Sequence, residues 1–327
     1  MSSSRLQFPE GRQFAFTIID DTDVATVENV KPMYRLLESL GMRTTKTVWP
    51  VACPEGSRDF SSSQTLEDEP YREFIVDLQR RGFEIASHGA TMESSRRDRT
   101  LRGFGLFRDV LSGYPRVHAN HAYNRENLYW GTHRLDDPVL RYIYARTNGQ
   151  SEEHYRGHID GSEYWWGDLS AAHLSYVRNL TFDCVNLLRI NPSMPYHDPA
   201  RPLVKYWFSA SDAEDEEEFC RLLSRPRLDA LKREGGVCIL ATHLGKGFVQ
   251  AGEVQGASRR ILEFIASLDG WFPPVGELLD WMLAQRDDSS LPAREWRRMQ
   301  WRWAYDLGRR DRRKKLQRRL RKRGAGA

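Results

Sequence analysis

The chain has 327 residues, 40% of them hydrophobic, with 13 Tyr, 14 Phe and 10 Trp, which is ample core material for a barrel with insertions. No run approaches the roughly 18 uninterrupted apolar residues of a membrane helix. Met1 to Pro9 lacks the apolar stretch of a signal peptide, and four scattered cysteines (Cys53, Cys184, Cys220, Cys238) show no Cys-x-x-Cys spacing, so a cytoplasmic protein with reduced thiols is expected.

In chain order, Phe14 to Ile19 reads as a buried strand ending on Asp20, Asp21 and Asp23. A helix is predicted from about Thr26 to Leu40, stopped by Gly41, then a strand from Arg43 to Val48 broken by Pro50. A polar loop over 54–68 precedes a helix over 71–81, and a third strand, Phe83 to Ser87, ends on His88. This alternation of strand and helix implies parallel strands joined by right-handed crossovers. Residues 92–112 look helical but contain Gly103 and Gly105; residues 115–210, rich in Tyr, Trp, His, Asn and Pro, receive no assignment. Helices at 214–223 and 228–233 lead into a strand at 236–241 that ends near His243, and helices at 258–268 and 276–284 complete the body. Residues 294–323 hold 15 Arg and Lys against Glu295, Asp306 and Asp311, a local charge of +12 that leaves the rest of the chain at −8. Trp296, Met299 and Trp303 fall on one helical stripe that should pack on the body, while residues from 309 onward should contribute little to the core. Two units are therefore expected: a barrel over 1–290 and a basic C-terminal helix and tail over 291–327.

Strands that stop on acid, acid, His and His deliver those side chains to one mouth of an α/β barrel, and such groups are the parts of a mononuclear metal hydrolase. Adjacent acids after a strand point to opposite faces, so Asp20 and Asp21 do not both sit in solvent on one side. Asp23 reads as the cap of the following helix. His118-Ala-Asn120-His121 supplies imidazoles that either ligate an ion or contact substrate. His243 precedes Leu-Gly-Lys-Gly and suits a general acid near neutrality. Asn120, Tyr129 and Trp130 are candidate substrate contacts, since aromatic faces stack on sugar rings. His154 and His158, four apart but beside Gly157 and Gly161, read as surface residues. No phosphate-binding loop and no Gly-x-Ser-x-Gly elbow occurs.

Ile18-Ile-Asp20-Asp21, Gly82-Phe-Glu-Ile-Ala-Ser-His88, Leu240-Ala-Thr-His243 and Phe272-Pro-Pro-Val-Gly-Glu-Leu-Leu follow the order and wording of motifs in the NodB-type polysaccharide deacetylases (carbohydrate esterase family 4), and the chain resembles that family over roughly residues 12 to 285. Three positions depart from it. Met92 stands where the second His of the metal pair should fall, Thr22 replaces a Gly, and no Arg-x-Pro-x-Gly motif is recognisable. The resemblance implies Asp21 and His88 as ligands of a divalent ion and Asp20 as general base; with Met92 at the family's third position, His118 or His121 is the local source of a further imidazole, zinc is the ion such ligands suit, and His243 is the expected general acid.

The expected fold is therefore α/β, a distorted or incomplete (β/α) barrel with parallel core strands. The expected function is metal-dependent removal of an acyl group from a glycan or glycan precursor. The rivals are a barrel hydrolase of another C–N or glycosidic bond and an inactive glycan-binding barrel. The basic tail suggests weak contact with an anionic membrane surface, and nucleic acid ranks below it for want of a recognised module.

Overall fold

The computed structural model describes residues 6–54, 57, 63–148, 152–286 and 289–324. Seven parallel strands close into a barrel: β1 (Phe14–Asp20), β2 (Thr45–Val48), β3 (Glu84–Ser87), β4 (Val117–Ala119), β5 (Tyr176–Phe182), β6 (Tyr206–Asp212) and β7 (Val237–Thr242). Each pairs with the next, and β7 returns to β1 along six residues, from Ala15 opposite Val237 to Asp20 opposite Thr242. A two-residue strand, Gly270–Trp271, adds to the start of β1.

The helices are α1 (Val27–Ser39), α2 (Glu69–Arg80), α3 (Arg97–Leu111), α4 (Pro138–Asn148), α5 (Gly167–His173), α6 (Glu216–Leu222), α7 (Arg225–Glu234), α8 (Gly256–Ser267), α9 (Val275–Ala284) and α10 (Ala293–Gly324). Every residue of β1 is buried because both its faces are covered. Ala15 and Ile19 belong to one apolar cluster with Val177, Phe208 and Ile239 of the neighbouring strands, whereas Phe14, Phe16 and Ile18 meet Val30, Tyr34 and Leu37 of α1.

The unassigned middle contains β4, β5 and β6. β5 reads Tyr-Val-Arg-Asn-Leu-Thr-Phe, and its buried Arg178 and Asn179 break the apolar signature of a core strand. Gly103 does not interrupt α3; a Cβ there would stand 2.9 Å from the Ala90 side chain, so the packing requires glycine. That glycine lets α3 press directly on the loop after β3.

Trp296, Met299 and Trp303 of α10 are buried. No side chain beyond 309 joins the core among the described residues, but three of them ion-pair with the barrel rim. Arg310 pairs with Asp212, Arg313 with Glu218 and Asp183, and Lys314 with Glu214. These acids sit at and after the ends of β5 and β6, so the apolar stripe anchors the first turns of the helix, and part-exposed ion pairs of small individual worth orient the later turns over the barrel rim. Among the described residues no helix is long and apolar enough to cross a membrane, and all four cysteines are free.

Candidate functional site

Asp20, Asp21 and Asp23 leave the end of β1 in three directions. Asp20 is fully buried, pairs with Lys46 at 3.0 Å, and accepts hydrogen bonds from the Tyr34 hydroxyl at 2.9 Å and the Leu244 amide at 2.8 Å. The register explains the pair, since Asp20 lies opposite Lys46 on β2. Burial alone would depress the Lys46 ammonium, but Asp20 holds it above its ordinary value. The assignment of Asp20 as a base at the mouth is corrected accordingly: its carboxylate is fully buried among Lys46, Tyr34 and the Leu244 amide and locks the loop after β7 to β1 and β2.

Asp21 faces the barrel interior and takes a two-pronged pair from Arg178 of β5, at 2.9 and 2.6 Å. Burial opposes ionisation, yet Arg178, with His88 and His243, brings the carboxyl down to about 2. The pair occupies both oxygens of Asp21, which is not grouped with the imidazoles that could hold an ion.

Asp23 is not the cap of α1. Thr26 is, with Asn29 completing the capping box: the Thr26 hydroxyl accepts from the Asn29 amide, and Asn29 Oδ1 accepts from the Thr26 amide at 2.8 Å. Asp23 instead sits in a tight turn with Val24 at φ 54, a left-handed conformation that a β-branched residue rarely adopts. The turn aims its carboxylate at three imidazoles. Asp23 Oδ1 lies 3.3 Å from His88 Nε2, and Oδ2 lies 3.6 Å from His121 Nε2, 3.5 Å from His243 Nε2 and 3.6 Å from Lys246 Nζ. Gly245 makes this approach possible, since a Cβ there would come within 3.1 Å of the Val24 carbonyl.

Each imidazole is oriented by its other nitrogen. His88 Nδ1 donates to the Ala119 carbonyl at 2.8 Å, His121 Nδ1 to Asn124 Oδ1 at 3.1 Å, and His243 Nδ1 to the Glu214 carbonyl at 2.7 Å. All three Nε2 atoms therefore converge on one carboxylate, in the manner of metal ligands steadied by a backbone or amide acceptor. Burial depresses His88. His121 and His243 are raised in spite of burial, because Asp23 faces them. The Asp23 carboxyl is held far below the usual range by the same histidines, again against burial.

The ligand atoms of Asp23, His88 and His121 all lie within 4.8 Å of one another. Two ligands on a tetrahedral ion, each at about 2.0–2.2 Å, stand roughly 3.4 Å apart, close to the separations here. Asp23 Oδ1 is buried without a hydrogen-bond partner among the described residues. A divalent ion would satisfy it, and the donor set of two imidazoles and a carboxylate fits zinc and its neighbours.

The other sequence candidates fall elsewhere. Both nitrogens of His118 are engaged, Nδ1 with Ser87 Oγ at 3.0 Å and Nε2 with Asn120 Oδ1 at 3.1 Å, and burial pushes it down to about 3, so it has no lone pair free for an ion. Asn120 spends its amide on His118 and on both backbone groups of Leu128. Tyr129 is buried against His158 and Trp207. Trp130 donates to the Ala122 carbonyl and is covered by the Arg134 guanidinium at 3.6 Å. These three carry packing in place of the substrate contacts expected of them. His158, read as a surface residue, is packed between Tyr129 and His133 and accepts from the Tyr129 amide at 3.2 Å. Met92 lines an open concavity of about 780 Å³ together with Glu93, Ser94, His121, Tyr123 and Asn124, which brings solvent to the cluster.

Arg178 was missed by sequence reasoning. An arginine inside an aromatic, β-branched run such as Tyr176 to Phe182 needs a buried carboxylate, and that was the available signal. Glu126 was also missed. It lies beneath the concavity, accepts from the Ser95 amide and from the same Asn124 that orients His121, and is raised by burial to about 7.

No family model and no curated relative matches the sequence. Among solved structures, a candidate polysaccharide deacetylase from Mycobacterium smegmatis is 15% identical with a TM-score of 0.52, covering 89% of this chain and 97% of its own. The allantoinase Puue is 12% identical with a TM-score of 0.51, covering 87% and 95%. The chain has the (β/α)-barrel fold of the NodB-type deacetylases.

Proposed function

We propose that this chain is a metal-dependent hydrolase that removes an acyl group from a glycan or glycan precursor. Asp23, His88 and His121 hold the ion, Asp21 is the general base and His243 the general acid. The observation that carries the reading is the convergence of three imidazole Nε2 atoms on one carboxylate whose Oδ1 lacks a hydrogen-bond partner among the described residues.

A divalent ion, zinc foremost, would polarise the acyl carbonyl and acidify a water enough for a base as weak as Asp21 to take its proton. Arg178 keeps Asp21 ionised and fixed, while the carboxylate retains lone pairs beyond the two it lends to the guanidinium. His243 is steered by the Glu214 carbonyl so that Nε2 faces the mouth, where a protonated imidazole can give its proton to the departing amine or alcohol. The concavity beside His121 is lined by Glu93, Ser94, Tyr123 and Asn124, a hydrogen-bonding surface suited to a hydroxyl-rich substrate.

Two measurements test this. Protein purified without chelator should carry about one divalent ion per chain, lost in Asp23→Ala and kept in Asp21→Asn. Acetate release should then be assayed on N-acetylglucosamine oligomers and acetylated xylan. Wild type should release acetate, and Asp21→Asn should not. A wild-type protein that takes up no ion when zinc is supplied would sink the reading and leave a glycan-binding barrel, with Lys246 and the histidines serving only as counter-ions to Asp23. Metal uptake with no acetate from any glycan, but opening of a cyclic amide, would move the chemistry to a C–N bond of the kind named in the second structural neighbour.

A further inference from the structure

We infer that the outer face of α4 and α10 is a docking surface for an anionic phospholipid membrane, a proposal independent of the catalytic reading. The two helices are neighbours: Trp301 Nε1 donates to Asp137, just before α4, and Tyr144 of α4 packs on Trp303 at 5.4 Å. α4 turns Val139, Tyr142, Ile143 and Arg146 outward, one stripe at i, i+3, i+4 and i+7. α10 turns out Arg294, Arg297, Trp301, Tyr305, Arg309, Arg312 and Leu316. Tyr142 is 62% exposed, Tyr305 58% and Trp301 45%, on a protein whose other aromatics are mostly covered.

Charge selects the occupant. The inward basic residues Arg310, Arg313 and Lys314 are discharged on body carboxylates. Arg294, Arg309 and Arg312 make no ion pair among the described residues, and α4 contains no acidic residue. Of the acids on α10, Asp306 is buried and Glu295 bonds Ser193, which leaves Asp311 as the one carboxylate of that helix on the exposed side; just before α4, Asp136 is paired with Arg201, and Asp137 is engaged by Trp301 and by the Val139 and Leu140 amides. A second copy of this face would meet like charge, so self-association is disfavoured. Single-stranded nucleic acid would use Trp and Tyr for stacking, but exposed Val139, Ile143 and Leu316 gain nothing from bases and do gain from the acyl boundary of a bilayer. Trp, Tyr and Arg together are the side chains that settle at that boundary, with rings at headgroup level and guanidinium groups among phosphates.

The test is co-sedimentation of the full chain with vesicles of phosphatidylcholine, alone or with about one phosphatidylglycerol in three, at low and high salt. Wild type should pellet with the anionic vesicles at least about tenfold more tightly than with neutral ones, and lose most of that in high salt. Arg309→Glu with Arg312→Glu should fall to the neutral-vesicle level. Trp301→Ser with Tyr305→Ser should weaken binding by about tenfold while circular dichroism and melting stay unchanged. Equal pelleting by the charge-reversed variant, or equal binding to neutral vesicles, would overturn the proposal. So would wild type that ignores vesicles but is retained on single-stranded RNA, or that forms a dimer abolished by Trp301→Ser with Tyr305→Ser.

Discussion

The two walls of the barrel mouth are built from the same kinds of side chain and treat their charges in opposite ways. On the side of β5 and β6, charges are closed off in tight pairs: Arg178 with Asp21, Arg310 with Asp212, Lys314 with Glu214, Arg313 with Glu218. On the wall after β1, β3 and β4, Asp23 stands 3.3 Å from His88 and 3.6 Å from His121, beyond an optimal charged hydrogen bond, and Asp23 Oδ1 has no partner among the described residues. A saturated wall serves as a template. An unsaturated one is arranged for a guest.

The most direct way to break the comparison is to remove the centre of the open wall. Asp23→Ala should abolish stoichiometric zinc binding, read by elemental analysis or calorimetry, while the protein stays folded. Retained binding would put the ion elsewhere. On the closed wall, Arg178→Met should leave metal content unchanged but free Asp21, lowering turnover on whichever substrate is hydrolysed by about 10²–10³-fold. Unchanged turnover would make the Asp21–Arg178 pair purely structural. Behind both walls, Asp20→Ala should cost about 3–5 kcal/mol by denaturant melting, since it strands Lys46 in the core.

Between the walls, Glu126 is raised to about 7, so the fold holds its proton above the pKa of the unfolded chain. The native state then binds more protons than the unfolded state from about pH 4.5 to 7, and stability falls across that window by about 3 kcal/mol as pH rises, levelling off above it. Glu126→Gln should flatten that slope in melts taken from pH 4.5 to 8, and a wild-type slope of opposite sign would contradict the assignment.

The first and last strands of the barrel and most of the flanking helices were legible because apolar runs and glycine stops dominate there. The middle was not, since β4 has only three residues and β5 carries Arg178 into the core. Among the site residues, His88, His121 and His243 could be read from strand ends. The roles of the three acids could not, because a turn at Val24 decides which carboxylate meets them, and backbone handedness there leaves no mark in residue type. His118 illustrates the same limit: at the level of sequence it equals His121, and only the partners Ser87 and Asn120 distinguish them.

The closing of β7 onto β1 has a consequence for biosynthesis. Asp23, His88 and His121 all lie within the first 121 residues, whereas the strand that completes the barrel begins at Val237. As the chain leaves the ribosome, the three proposed ligands emerge well before the scaffold that fixes them. On the proposed reading, a nascent chain meets ions while its site is unfinished, and the ion it takes would depend on which are present during synthesis as well as on the finished cavity.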